Sequence, residues 1–243
     1  VSDVSSTDRE ALLAEAAQAV STGELADLHV GDLLCYLRAY YWHVPVEDLA
    51  AASPAAVAAA AVEQARLAAH RPQGRALVRV RPPGSPGAFD PSRRVIDIVT
   101  DDMPFLVDSL TMELARHGLD SDHILHPQLL VRRDVAGTLH DVCGMLAAQG
   151  GDHDEIAESW THIEISGPGA DSAPAHGVVT RTSGTRNSGT RNSGAGNSAA
   201  ELEQDLHRVL HDVRVAVEDY PRMQAKATWL ADRLSAEGAG APA

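Results

Sequence analysis

The chain has 243 residues, a formal net charge of −14, 44% hydrophobic residues and only 4% aromatics. That length suits one large domain or two small ones, with a core that leans on alanine. The charge excludes an electrostatic footprint for nucleic acid; no apolar run approaches the roughly 20 residues of a membrane span; and Cys35 and Cys143 are too few for a disulfide framework.

No secretory signal pattern opens the sequence, so a cytoplasmic location is expected. The heavy use of Ala, Arg, Gly and Asp resembles that of a GC-rich bacterial genome. Val1 in place of an initiator methionine suggests a fragment.

Residues 7–71 read as helical. Thr7 and Glu10 have capping-box spacing, and Leu33, Leu34, Leu37, Tyr40 and Tyr41 recur at helical period up to Pro45. Ser53 and Pro54 predict an N-cap with proline at the first helical position of a helix running to about His70. The period then changes. Residues 75–82 and 93–100 predict strands, the second with Ile96 and Ile98 on one side and Val95, Asp97 and Val99 on the other. A helix follows, with Pro104 in its first turn, Gly118 past its end, and an apolar face that includes Phe105, Leu106, Leu110, Met112 and Leu114. Residues 122–134 predict a strand bent at Pro127. Gly137 marks a turn into a weak strand, and 158–166 alternates Trp160, His162 and Glu164 against Thr161, Ile163 and Ile165.

Residues 167–198 repeat Asn-Ser-Gly and Thr-Arg with almost nothing to bury, which predicts a disordered linker. Beyond it, Leu202, Leu206, Val209, Leu210, Val213 and Val217 form one helical stripe, broken at Pro221 ahead of a last helix and tail. The order of elements is α+β: an antiparallel sheet covered on one side by the helices at 104–117 and 200–218.

Most chemical motifs are weak. Gly194, Gly196 and Ala199 fit a dinucleotide pattern, but a low-complexity repeat rather than a strand precedes them. His123, His126, Cys143 and His162 invite a metal, yet residues 123 and 126 of one strand face opposite sides; His207 and His211 lie on the polar flank of their helix. Ser109 beside Asp108 lacks a nucleophile elbow, and Arg132-Arg133-Asp134 reads as an exposed charge cluster. No catalytic residue and no metal ligand set emerges. The turn Asp101-Asp102-Met103-Pro104-Phe105 remains, at the carboxyl end of a strand and before a helix. Two readings stay open there. Asp102 caps the helix while Pro104 presets it, or the turn binds an amino acid, with Asp101 on the ammonium and the helix N-terminus on the carboxylate.

The runs VTDDMPFLVDSLTMELARHG, HILHPQLLVRRD and ESWTHIEI closely resemble the N-terminal region of the large bacterial NAD-specific glutamate dehydrogenases, over roughly residues 7–166. The resemblance implies an ACT-like (ferredoxin-like) antiparallel sheet with helices on one face. On that basis 1–72 is an N-terminal helical segment, 73–220 an ACT-like domain interrupted by the linker, and 221–243 a C-terminal helix and tail. The parent enzyme would oxidise L-glutamate with NAD and water to 2-oxoglutarate, ammonia and NADH. This region would bind no cofactor and no metal and would lack the catalytic domain. The implied role is regulation or assembly within a homo-oligomer, with an amino acid as effector; a free-standing amino-acid-binding regulator is the alternative. The resemblance transfers no catalytic residue to this sequence.

Overall fold

The computed structural model describes residues 2–20, 28–145, 154–167 and 198–238. Helices come first: α1 (Ser2–Ala19), α2 (Leu33–Tyr40), α3 (Val46–Ala51) and α4 (Pro54–Ala68). The start of α4 follows its sequence: Ser53 accepts a hydrogen bond from the Ala56 amide, and Pro54 occupies the first turn, where no N–H is required. Asp32 caps α2 in the same way through the Cys35 amide. The capping box expected at Thr7 is not used as a start. With neither Gly nor Pro between residues 2 and 19, nothing interrupts the helix, and α1 extends back to Ser2.

The remaining elements are β1 (Leu77–Arg81), β2 (Arg94–Asp101), α5 (Leu106–Arg116), β3 (Asp120–Leu125), β4 (Gln128–Arg133), β5 (Leu139–Met145), β6 (Glu155–Ser166) and α6 (Ala199–Gly238). Every strand pairing is antiparallel, in the order β1–β2–β6–β4–β5, with β3 also on β6. β6 is the spine. One of its edges pairs with β2, and β3 and β4 share the other end to end. The break between them falls at Pro127, where the bend was predicted. Pro127 has no N–H to offer, but its carbonyl accepts from the Trp160 amide, and the ladder carries on.

The period of two sorts the strand residues as expected. Ile96, Ile98, Ile163 and Ile165 pack against Leu106, Leu110 and Leu114 of α5 and Leu202, Leu206 and Leu210 of α6. α5 closes at Gly118, whose φ of 70° lets the Leu119 amide reach back to the Leu114 carbonyl. With β1 beside β2 and both helices on one face, this part of the chain has the ACT-like, ferredoxin-like arrangement.

The opposite face is not left to water, contrary to the one-sided sheet read from the sequence. Val99 and Trp160 point that way and share a core with Tyr36, Leu37, Val57, Ala61 and Ala65 of α2 and α4. Strands apolar on both faces need two covering layers. The helical segment is also tied to the sheet through its backbone. The Arg71 amide donates to the Gly137 carbonyl, and the Leu139 amide to that of Ala69. A Cβ at Gly137 would stand 2.5 Å from the Arg71 carbonyl oxygen, so glycine is required there. α6 differs from expectation too, because it runs unbroken through Pro221. The missing N–H leaves one carbonyl of the preceding turn unbonded, but residues 218–231 are exposed, and water can take its place.

The linker expected at 167–198 and the glycines of the 194–199 pattern lie, but for their outermost residues, outside the described residues, as does the tail beyond 238.

Candidate functional site

β2 delivers the Asp101–Phe105 turn to the end of the sheet. Asp101 is already paired within the chain: its carboxylate, 22% exposed, accepts from Arg71 Nη2 and Arg214 Nη2, each at 2.6 Å. Burial pushes this carboxyl up, but the two guanidinium groups outweigh it and hold it below the usual range. Asp102 does not cap α5. Its Oδ1 accepts from Gln128 Nε2 at 2.9 Å, and its amide donates to the Ala157 carbonyl, which fastens the turn to β4 and β6.

Phe105 occupies the N-cap position of α5 with φ 70°, a left-handed conformation costly for any residue with a Cβ. The sharp change of direction throws its ring outward, 68% exposed, whereas Leu106 enters the core in its place. Met112 on the same helix is likewise exposed. Of the two residues expected to anchor the helix at this end, Leu106 does so and Phe105 does not, with Met103 half-buried behind Leu106. Pro104 precedes the cap instead of starting the helix.

Behind the turn lies an ion-pair network that the sequence did not disclose. Glu158, fully buried on β6, accepts from Arg71 Nε and Nη2, from Arg133 Nε and Nη2, and from Trp160 Nε1, all at 2.6–3.0 Å. Burial would raise the Glu158 carboxyl; Arg133 and Arg71 bring it below its ordinary value. Arg133 also donates to the Ala68 and Gly137 carbonyls. The Arg132-Arg133-Asp134 cluster is thus divided. Arg133 is buried, and Asp134 accepts from the Ala136 and Thr138 amides of the β4–β5 turn. Arg132, 3.7 Å from Glu155, and Asp134 fit the exposed reading; Arg133 does not.

A second network lies between the sheet and α4. Asp97 accepts from His162 Nδ1 at 3.0 Å and from Arg81 and Arg79, and Arg79 also meets Glu63. Burial pushes Asp97 up, yet the His162 hydrogen bond and Arg81 bring it down to about 2. Burial lowers His162, but the carboxylates of Asp97 and Glu164, one at each ring nitrogen, together more than reverse that, so the imidazole ends above its ordinary value.

The other candidates disperse. His123 stacks on Phe89 and faces Glu164, while His126 reaches Ser159 and Thr161 from the turn between β3 and β4; they do not converge. The side chain of Cys143 is outside the described residues. Among the described residues no hydrogen bond joins Ser109 to a histidine. One metal-like group, Glu113, His117 and Asp205, brings α5 and α6 together. Its i, i+4 spacing was visible, but Arg116 and Arg208 already occupy both carboxylates. Among the described residues no helix is long and apolar enough to cross a membrane.

An antiparallel sheet with two helices on one face, and with its buried charges spent on internal ion pairs, defines an ACT-like module. The chain belongs to the family described as glutamate dehydrogenase, ACT1 domain, whose profile matches residues 36–174, from α2 through β6. It is 34% identical over 140 residues to an NAD-specific glutamate dehydrogenase of Pseudomonas aeruginosa and 31% identical over 141 residues to one of Halomonas elongata. These alignments cover 56% and 58% of this chain but 7% of each relative. No solved structure matches.

Proposed function

We propose that this chain is an N-terminal regulatory and assembly region of an NAD-dependent glutamate dehydrogenase. The parent enzyme converts L-glutamate, NAD and water to 2-oxoglutarate, ammonia and NADH, and the catalytic and cofactor-binding machinery resides elsewhere in it. The observation that carries the reading is the ACT1 family match, which spans the sheet and the Asp101–Phe105 turn. In this reading the turn is the working surface for an amino-acid effector or a neighbouring subunit of a homo-oligomer. Arg71 and Arg214 hold it to the core, and Pro104 and Phe105 face outward.

Two measurements test this. Reading the coding DNA past the Ala243 codon should find an open frame continuing into dehydrogenase domains; a stop codon there overturns the assignment and leaves the free-standing regulator. The purified chain, incubated with glutamate and NAD, should give no NADH absorbance above buffer; turnover that tracks the protein refutes the separation of regulation from chemistry.

A further inference from the structure

A groove of about 340 Å³ opens beside the turn, between the Gly74–Ala76 loop, the end of β2 and one flank of α6. Arg75, Thr100, His207, His211 and Arg214 supply its polar lining, and Leu210 its floor. The chain as a whole has 34 acidic against 20 basic side chains, yet this lining has two arginines, two histidines and no carboxylate. Arg214 shares its charge with Asp101 and Glu218 and burial favours the neutral form of His207, so the groove's attraction for an anion rests on Arg75 together with the part of Arg214 left uncompensated.

Two further details point to a ligand. Thr100 is 1% exposed, and its Oγ1 has no hydrogen-bond partner, an unsatisfied hydroxyl at the wall of a polar groove. Such a group is costly to bury unless something in the groove meets it. Arg75 is exposed, and among the described residues no carboxylate pairs with it. Its backbone, by contrast, is fixed: the carbonyl accepts from Arg71 Nη1 at 2.9 Å and the amide donates to the Pro72 carbonyl. Arg214 is only partly committed, to Asp101 at 2.6 Å and to Glu218 at 3.7 Å.

We propose that this groove binds a small oxyanion, a carboxylate or a phosphate group, held by the Arg75 and Arg214 guanidinium groups and the Thr100 hydroxyl. The histidines at 207 and 211 would flank it. The groove's own residues carry this site, whether or not the chain regulates a dehydrogenase. Because Arg214 also holds Asp101, an anion that draws on this guanidinium loosens or re-aims the Asp101–Phe105 turn.

The test uses the full 243-residue chain. Inorganic phosphate and, separately, succinate are titrated at constant ionic strength against chloride, following backbone amide shifts. Saturable shifts at Gly74, Ala76 and Thr100 with either probe, absent with chloride, are the expected result. Phosphate alone assigns a phosphoryl ligand, succinate alone a carboxylate. Arg75→Ala and the near-isosteric Thr100→Val should each weaken binding about ten- to a hundredfold, the range for a lost hydrogen bond to a charged group. Neither should disturb the fold, since Arg75 is exposed and valine matches threonine in shape. Absence of saturation with both probes, an equal response to chloride, or undiminished binding in both variants overturns the site.

Discussion

Glu158→Gln should be among the most destabilising single-atom-scale changes this chain can suffer. The substitution keeps the size of the side chain and removes its charge. In the native protein one carboxylate accepts five hydrogen bonds, from Arg71, Arg133 and Trp160. The side chains of Arg71 and Glu158 are fully buried and that of Arg133 nearly so. With the charge gone, Arg71 retains Asp101, but Arg133 retains only the Ala68 and Gly137 carbonyls. The amide that replaces the carboxylate would also turn an N–H₂ group toward donors that need an acceptor. Breaking a buried ion pair from one side costs about 3–5 kcal/mol, because the remaining charge stays uncompensated. For a chain of this size each kcal/mol lowers Tm by about 2–4 °C, so a fall of roughly 10 °C is expected. Urea unfolding followed by far-ultraviolet circular dichroism gives the free energy, and a thermal scan the Tm. A loss below about 1 kcal/mol would refute the reasoning, since it would mean that water reaches the cluster and solvates Arg133. Asp101→Asn is the internal comparison. This carboxylate is 22% exposed, and its loss should cost distinctly less.

Phe105→Gly should raise stability or leave it unchanged, because it relieves a left-handed residue worth about 1–2 kcal/mol and forfeits little burial; a Tm drop of several degrees would show that the ring is anchored. The Asp97–His162 pair predicts a two-sided pH profile. Asp97 is lowered from 3.8 to about 2, so its contribution is present above pH 3.8 and is lost as pH falls towards 2. His162 is raised from 6.5, so its contribution is complete below pH 6.5 and is lost as pH rises through the higher folded value. Unfolding free energies measured across pH 2–9 on the wild type and on Asp97→Asn check both limbs, and an Asp97→Asn profile that parallels the wild type would remove this pair as the cause.

Much of the architecture was legible in the sequence, because it rests on local rules. Ser53-Pro54 starts a helix since an N-cap oxygen and a missing N–H suit only that position. Ile96 and Ile98 share a face because side chains alternate along a strand, and Leu202, Leu206 and Leu210 share one because a helix turns every 3.6 residues. The bend at Pro127 and the stop at Gly118 follow from one residue's backbone each. Tertiary structure decided what depends on residues distant in sequence. Whether Asp101 is a free ligand group or half of an ion pair turns on Arg71 and Arg214, thirty residues before it and 113 after it. Arg133 looked exposed because an arginine carries no sign of its burial; only Glu158, 25 positions on, makes that burial tolerable. Phe105 looked like core because it is large and apolar, but the turn that reverses the chain fixed its direction before packing could choose it. Charge and apolarity are properties of a residue, whereas pairing and burial belong to the neighbours that the fold brings to it.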